Sequence, residues 1–494
     1  MSSQQKIALT VASAALVVGA IDYTAVTIAA PDFQRDFGLD LLDIRVLFVS
    51  FWFFDIAALL FSGRLSDAWS RQRVMVLGFG TFVVGSAMAV VSPNLEILVF
   101  ARSVQGLGAG LIFGPTLAIL TDNFPAPRLG WIFGVWAAIG GVALALAPVF
   151  GGALVELSGW RAIFAATGLL AAMAFFFSTR LDLSVRANVS FQFDWLGIGL
   201  ILLVIGQLAV ALLRLESRGA DPILVVLVIS AGLMLIGFGF SQRREEAGVL
   251  PRPIATATGF VVGTGLATIA YALAHFIIVA IVIYFYAVLG FTFFQTGAAL
   301  LAYSVVWFAA SFLGGRLVDG LGIRMMALFG TLIVTLGVAL LALWVTEESY
   351  PLVAAALAVF ALGNAALMPA VNKGAMAAVR PEDRGLASGS NMMFRLVGAL
   401  FGFAGGLAMV AYFDEKVLPD IDLVSVQLSS SVDLLIRGDV PERLREFLSG
   451  NYADALATTL WWSCSVALLG VILALFARWP HSSTEPATEA AEVE

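Results

Sequence analysis

The sequence contains few of the residues from which most catalytic and metal sites are made. Among 494 residues it has one cysteine and two histidines, which excludes an intramolecular disulfide framework and a metal site built from several of these side chains. Charged residues make up only 12 % of the chain, against roughly 25 % in a soluble domain. A Walker-type phosphate loop is also missing. The sequence therefore predicts no ATP-driven motor, no metal and no cofactor.

Apolar residues dominate instead, at 60 % of the chain with a mean hydropathy of +0.97. A membrane span needs about 20 mostly apolar residues, and such segments recur along the whole sequence. They predict an all-α polytopic membrane protein. The first segment carries Asp22 and is too long for a cleaved signal peptide. The fourteen predicted spans are 7–29, 44–62, 74–92, 97–121, 131–155, 161–177, 195–213, 222–241, 256–288, 296–315, 325–345, 351–372, 388–413 and 454–477.

The connections between the spans differ in their lysine and arginine content. With the N-terminus inside, the inner connections hold sixteen such residues and the outer ones nine, four of them in the long loop 414–453. Because positive residues favour the cytoplasmic side, we expect a cell (inner) membrane protein with both termini in the cytoplasm. The net charge of −7 comes largely from one loop and the tail, so it indicates no nucleic-acid partner.

One short motif occurs twice, 252 residues apart, each time where an apolar helix leaves the membrane. The repeat predicts a transporter built from two related bundles. The glycine permits close approach of helices, the aspartate is expected to accept hydrogen bonds from the first amides of the next helix, and the arginines can pair with it. The alternative is that the basic residues of the motif only fix the orientation of the chain in the membrane. The predicted latch residues are Gly63, Asp67, Arg71 and Arg73 in the first copy and Gly315, Asp319 and Arg324 in the second.

Four parts are predicted along the chain. Residues 1–177 are predicted to form an N-terminal six-helix bundle, and 178–253 a linker with two extra spans. A C-terminal six-helix bundle is predicted over 254–480, including the external loop 414–453. The tail 481–494 is rich in Glu, Thr and Ala, a composition typical of disorder.

Four charges lie inside apolar spans, where each costs about 2.5–3.5 kcal/mol near the bilayer centre. At 1.5 Å per residue, Asp22 and Arg102 fall at a similar height toward the outer side, and Asp55 and Arg395 at a similar height toward the inner side. The depths therefore predict two acid–base pairs. The first pair is the candidate proton-coupling site. The alternative for either pair is a static, neutralised ion pair.

Weaker candidates complete the set of predicted site residues. Proline and glycine make the fifth span locally deformable, although generic membrane packing explains the same composition; these residues are Pro148, Gly151 and Gly152. Polar and aromatic side chains within other spans are candidate cavity residues: Gln105, His275, Tyr286, Trp307 and Asn391. A packed or hydrogen-bonded role is the simpler interpretation of His275.

Several stretches resemble the major facilitator superfamily, and within it the fourteen-span drug:proton antiporter branch of the EmrB/QacA type. They are the loop Gly63–Arg73, the segment Asp22–Pro31 of span one, Arg102–Gly110 of span four, and Ala147–Gly152 of span five. The resemblance implies two pseudo-symmetric six-helix bundles plus two inserted central helices, 14 transmembrane helices in all. It also implies that Asp55 and Arg395 face each other between the halves, and that the fifth span is a hinge there.

The sequence departs from that pattern at a few positions. Ala68 and Ser70 replace Arg and Gly in the loop, Ala143 and Ala147 replace glycines of the antiporter motif, and Leu396 replaces Gln. The resemblance implies a secondary active transporter that exports small amphipathic or drug-like compounds by proton antiport and alternating access. The altered antiporter motif keeps open proton-coupled or facilitated uptake of a nutrient, siderophore or organic acid.

A membrane enzyme and a transport-dead sensor are more remote alternatives, since no catalytic constellation is visible and Asp22 and Arg102 are retained. The expected partners are a small-molecule substrate, protons and the lipid bilayer. The sequence leaves open whether the chain is monomeric and whether an accessory protein binds the loop 414–453.

Overall fold

A computed structural model describes residues 1–37, 41–181, 194–218, 222–242, 250–417, 442–477 and 479. Long helices account for almost all of them. The first group of helices comprises α1 (Ser3–Ile28), α2 (Leu41–Ala68), α3 (Arg71–Val90), α4 (Leu95–Phe113), α5 (Leu129–Ser158) and α6 (Arg161–Ser178). Two more follow, α7 (Trp195–Arg218) and α8 (Pro222–Gln242). The last group comprises α9 (Thr258–Ala287), α10 (Phe293–Leu321), α11 (Ile323–Trp344), α12 (Tyr350–Ala377), α13 (Arg384–Val417) and α14 (Glu442–Phe476).

Short helices join some of these elements: Ala30–Phe37 after α1, Thr116–Asn123 after α4 and Arg252–Ala255 before α9. Single turns of 3-10 helix, Ala126–Arg128 and Pro381–Asp383, lead into α5 and α13.

Local chemistry sets the starts of several helices. The Ser70 hydroxyl accepts from the Arg73 amide at 3.2 Å and caps α3. Asn94 does the same for α4 through the Ile97 amide at 3.1 Å. Thr292 and Gln295 form a reciprocal capping box at α10, which satisfies two amides that a helix start leaves free. Between α10 and α11 the chain turns at Gly322 with φ +85°, a conformation that glycine adopts without strain.

A helix covers each of the fourteen predicted spans, but the predicted number of membrane crossings is not confirmed. Within the described residues, eleven helices are long and apolar enough to cross a membrane. The apolar parts of α7 and α8 are shorter, Leu196–Leu208 and Pro222–Phe238. The 34-residue helix α13, over the predicted span 388–413, lies outside that count.

The long predicted loop is shorter than expected. Helix α13 continues to Val417, and α14 begins at Glu442 and runs unbroken to Phe476. The part of the predicted loop from Glu442 onward is therefore the beginning of α14. Residues 418–441 lie outside the described residues, and so does the predicted disordered tail 481–494.

The helices α1–α6 pack mainly on one another, and α9–α14 do the same. The two most extensive crossings between these groups are α2 against α13 and α5 against α10. Glycines lie at both crossings: a methyl group at Gly63 would overlap the Gly385 carbonyl, and one at Gly134 would meet Gly315. Small residues let helix backbones approach closely in membranes. The glycines of the repeated motif thus lie at the two junctions between the groups. The predicted domain boundaries themselves stay a prediction.

Candidate functional site

Asp22 of α1 and Arg102 of α4 form a fully buried ion pair. The Arg102 Nη1 lies 2.6 Å from the Asp22 Oδ2, and the two residues are 0 % and 1 % exposed. The guanidinium also sits over the Phe51 ring of α2, 4.2 Å from its centroid. The two charges predicted from helical rise to share a depth are therefore in direct contact.

Two further polar side chains complete this pair. Gln105, predicted only as a cavity residue, accepts from Arg102 Nη1 at 2.8 Å and donates to Asp22 Oδ1 at 3.4 Å. It also donates to the Ser86 hydroxyl of α3 at 2.9 Å. Sequence reasoning missed Ser86 because a serine in an apolar helix carries no signal of its own. Three helices thus hold one acid between a cation and an amide, which is an arrangement able to exchange a proton when the cation moves away.

The first copy of the repeated motif ties α2 to α13. Both carboxylate oxygens of Asp67 accept backbone hydrogen bonds, from Gly385 N–H at 2.8 Å and from Leu386 N–H at 2.7 Å. These are free amides at the start of α13, where the helix dipole favours an anion. The prediction that Asp67 caps the next helix is wrong, because Ser70 caps α3 and Asp67 caps a helix of the other group.

Charged side chains surround this first latch. Arg71 contacts Asp122 and lies 3.5 Å from Asp67. Asp122 also pairs with Arg384 at 2.9 Å, and Arg71 donates to the Pro381 carbonyl at 3.4 Å. Sequence reasoning singled out neither Asp122 nor Arg384 as a latch residue. The sequence did contain a hint of their role, because Asp122 directly follows an apolar segment and Arg384 directly precedes one.

The second copy repeats the arrangement between α10 and α5. Asp319 accepts from Gly130 N–H at 3.0 Å and from Trp131 N–H at 2.9 Å, at the start of α5. Its cation is Lys373, whose Nζ lies 2.6 Å away. The predicted Arg324 instead donates to the Leu475 carbonyl at 3.2 Å. In the first copy, Arg73 is exposed.

Polar contacts between the two groups of helices concentrate at one end of the molecule. Here we call it the motif end, defined by Asp67, Asp319 and their partners. Within the described residues, every hydrogen bond between residues 1–181 and residues 250–479 lies there, including the one that the Leu117 amide donates to Ser388 Oγ at 3.1 Å. The structure therefore represents a state that is closed at the motif end.

A family comparison identifies the fold. The family model described as Major Facilitator Superfamily matches residues 12–194 and 264–418. The chain belongs to the Major Facilitator Superfamily.

Relatives and solved structures agree with this assignment. The multidrug resistance protein Stp of Mycobacterium tuberculosis is 26 % identical over 428 residues, covering 85 % of this chain and 79 % of that protein. The riboflavin transporter RibZ of Clostridioides difficile is 24 % identical, covering 81 % and 88 %. The crystal structure of the human organic anion transporter MFSD10 superposes with a TM-score of 0.61 at 15 % identity, covering 96 % and 100 %, a likeness of fold alone.

This superfamily member is thus a multi-span membrane transporter for small molecules, of a family whose members are not enzymes. The resemblance to the drug:proton antiporter branch is consistent with its multidrug-resistance relatives. The assignment also confirms the predicted all-α major facilitator fold, whereas the predicted count of fourteen transmembrane helices is not confirmed.

The second predicted acid–base pair is not formed in this structure. Arg395 of α13 donates to the Asn372 side-chain oxygen of α12, and its guanidinium carbon lies 5.5 Å from the Tyr271 ring centroid. Asp55 of α2 is 6 % exposed, and its Oδ1 has no hydrogen-bond partner. No ion pair of the described residues includes either one. Equal depth on facing helices was therefore insufficient, because the arginine turns inward among α9, α12 and α13.

The remaining candidates lie in different places. Helix α5 runs unbroken through Pro148 and the buried Gly151, and a methyl group at Gly152 would meet nothing within 4 Å. The hinge therefore stays a prediction. Trp307 packs instead against another glycine of α5, Gly141.

The other predicted cavity residues belong to α9 and α13. His275 Nδ1 lies 2.8 Å from the Tyr271 carbonyl, and the two rings stack with centroids 5.9 Å apart. Asn391 donates to the Thr264 hydroxyl at 2.9 Å. Tyr286 is half-buried near the far end of α9. His275 thus contacts Tyr271, which in turn contacts Arg395, whereas Tyr286 lies at another position along α9.

Proposed function

We propose that this chain exports small amphipathic or drug-like compounds by proton antiport, through alternating access. The observation that carries the proposal is the buried Asp22–Arg102 pair, held by Gln105 in a helix bundle of a superfamily transporter. An acid inside an apolar bundle is costly and needs a purpose beyond packing. Two relatives from Mycobacterium tuberculosis, the multidrug resistance protein Stp and the drug efflux pump JefA, support export.

The coupling follows from the partners of Asp22. A carboxylate in contact with a guanidinium stays ionised, whereas one left without it in apolar surroundings takes up a proton. A conformational change that separates α1 from α4 therefore loads a proton, and the return movement releases it. This links the proton gradient to the movement of the helices.

The latches supply the two states of alternating access. The helix-end hydrogen bonds of Asp67 and Asp319 hold the motif end closed. Following the positive-inside distribution, the motif end is the cytoplasmic one, both termini are cytoplasmic, and the cell (inner) membrane is the location. The state described here is then closed toward the cytoplasm, as the state that releases an exported compound outside must be. We further propose that a single chain carries out this cycle.

Proteoliposomes with an imposed pH gradient test the proposal, with a panel of dyes, organic cations and organic acids as probes. The native protein should move at least one probe against its gradient in response to the pH step, in the export direction. Asp22→Asn should lose this response while keeping downhill exchange of the same probe. The matched control Asp454→Asn, at an exposed acid of α14, should behave like the native protein.

Two results would contradict the proposal. Continued pH-driven accumulation by Asp22→Asn would remove Asp22 as the coupling site and make Asp55 or His275 the next candidate. Movement of the probe together with protons would replace export by uptake, which the altered antiporter motif permits.

A further inference from the structure

Arg395 is a buried cation that the structure does not neutralise. It is 2 % exposed in the middle of α13, and no carboxylate of the described residues lies within ion-pair distance of it. An arginine side chain is always charged and offers five N–H donors in a fixed fork. In the other group of helices the comparable cation, Arg102, has Asp22 at 2.6 Å. Arg102 also leaves Nε and Nη2 without an acceptor, so the difference between these two arginines is the carboxylate that Arg395 lacks.

Two buried hydrogen-bond donors at this position have no acceptor. Arg395 Nη2 donates to Asn372 Oδ1, which leaves Arg395 Nε and Asn372 Nδ2 without a partner. Both residues are almost fully buried, at 2 % and 0 % exposure. A buried donor without an acceptor loses the free energy of a hydrogen bond. Both free atoms are donors, so the group that satisfies them must be an acceptor, and beside a guanidinium an anionic one binds most strongly.

Aromatic rings lie beside the same donors. The Tyr271 ring packs on the Arg395 guanidinium, and His275 stacks on Tyr271 with 25° between the ring planes. The Tyr271 carbonyl only accepts hydrogen bonds, so the Nδ1 of His275 donates to it. The surroundings of Arg395 thus combine a cation, an amide donor and a stacked pair of rings on three different helices.

We infer that Arg395 and Asn372 form a binding subsite for the anionic group of the transported compound, a carboxylate carried by an aromatic or otherwise apolar body. The subsite lies ten residues beyond Gly385 on α13, or about 15 Å along the helix, and Gly385 is held by the first latch. Opening the motif end uncovers the subsite from that side. The inference rests on the proposed export function, because there the motif end faces the compartment from which substrate is taken.

The test is equilibrium binding to the full-length protein in a neutral maltoside detergent, measured by titration calorimetry. The two probes are 2-naphthylacetate and its uncharged analogue 2-naphthylacetamide. The native chain should bind the carboxylate about tenfold or more tightly than the amide, as a hydrogen-bonded charge requires. Arg395→Gln should bring the two affinities together and leave the affinity for the amide unchanged within about twofold.

The controls separate recognition from packing. Arg180→Gln removes an exposed arginine, which rests on the Phe176 ring, and should keep the native preference. Arg395→Lys keeps the charge without the fork and should fall between the native protein and Arg395→Gln. If Arg395→Gln does not fold, competition binding to the native protein still tests the inference. A naphthalenesulfonate should then displace the carboxylate probe, whereas a naphthylmethylammonium ion should not.

Three results would overturn the inference: no preference for the carboxylate in the native chain, a preference that survives Arg395→Gln, or an equal loss of both probes in that variant. Displacement by the cation as readily as by the sulfonate would overturn it as well. No proton gradient enters these measurements. The transport assay with Asp22→Asn therefore tests only the proposed proton coupling. The binding measurements test only the proposed anion subsite.

Discussion

At the scale of residues, the two aspartates buried within apolar spans, Asp22 and Asp55, have different surroundings. Asp22 accepts from a guanidinium and an amide, whereas the Asp55 Oδ1 has no donor. Breaking a buried ion pair by removing one partner costs about 3–5 kcal/mol, because it leaves an uncompensated charge. In the proposed mechanism, Asp22 is consequently the acid whose protonation depends on the position of another helix. This distinction could not be drawn from depth alone.

Removing Arg102 should therefore change the pH dependence of transport. In Arg102→Ala the carboxyl of Asp22 loses the cation that keeps it ionised, so it holds its proton up to a higher pH. We expect the pH optimum of probe transport in proteoliposomes to move upward and maximal transport to fall. The control Arg161→Ala removes a half-exposed arginine that lies near Asp36 and should keep the native optimum. An unchanged optimum in Arg102→Ala would contradict the role given to the pair.

Asp55 and Arg395 should act independently. No contact joins them in the state closed at the motif end, where α2 and α13 approach most closely through Gly63 and Gly385. The thermal stabilities of Asp55→Asn, Arg395→Gln and the double variant should thus be additive within about 0.5 kcal/mol. The measurement is a thermal unfolding series in detergent. A larger coupling energy would show that the predicted pair forms in some populated state.

At the scale of elements, the repeated motif gives each half of the molecule the same device. An aspartate at the end of one helix binds the free amides at the start of a helix in the other half. The adjacent glycine permits the close helix crossing that brings these groups together. Each charge-assisted hydrogen bond contributes about 1.5–3 kcal/mol. Two latches of two bonds each can thus set the balance between open and closed states.

Weakening one latch should shift that balance. Asp67→Asn replaces one acceptor by a donor that faces the Gly385 or Leu386 amide. We expect a population with a wider motif end, detected by pulsed electron spin resonance between labels at Trp69 and Leu321, which are 53 % and 52 % exposed. The native Cys464 is replaced by serine for labelling.

The second latch and a remote acid provide the comparison. Adding Asp319→Asn should widen the distribution further, since the two carboxylates act on separate crossings. Glu96→Gln, an exposed acid in the first turn of α4, should leave it unchanged. Identical distributions in the native protein and the double variant would show that the aspartates do not hold the motif end closed.

At the scale of the whole molecule, the charge distribution predicts which way the closed end faces. The latch residues lie at the connections that hold most of the lysines and arginines, and such connections favour the cytoplasm. A reporter fused after the last helix should therefore be active only in the cytoplasm. One inserted near Ser430 should be active only outside. The opposite pair of results would reverse the orientation and, with it, the direction of the proposed transport.

The sequence by itself determined the helices, the repeat and the depth of the buried charges. Long apolar runs must be helical in a bilayer, where every backbone group needs an internal partner. A constant rise per residue places Asp22 level with Arg102, and their contact follows once α1 and α4 are neighbours. Helix ends were also readable from capping residues such as Asn94 and Thr292, because a cap and its amides are only three residues apart.

Only the tertiary structure decided the contacts between residues that are far apart in sequence. Asp67 is 318 residues from Gly385, and reasoning from local spacing assigned it the nearest helix start instead. The partners of Arg395 depended on which way a long side chain turns among three helices, which no spacing records. The division has one physical reason. Helical hydrogen bonding and hydropathy are set by residues that are close together in the sequence. Ion pairs, caps between helices and unsatisfied donors depend instead on how helices that are far apart in the sequence pack together.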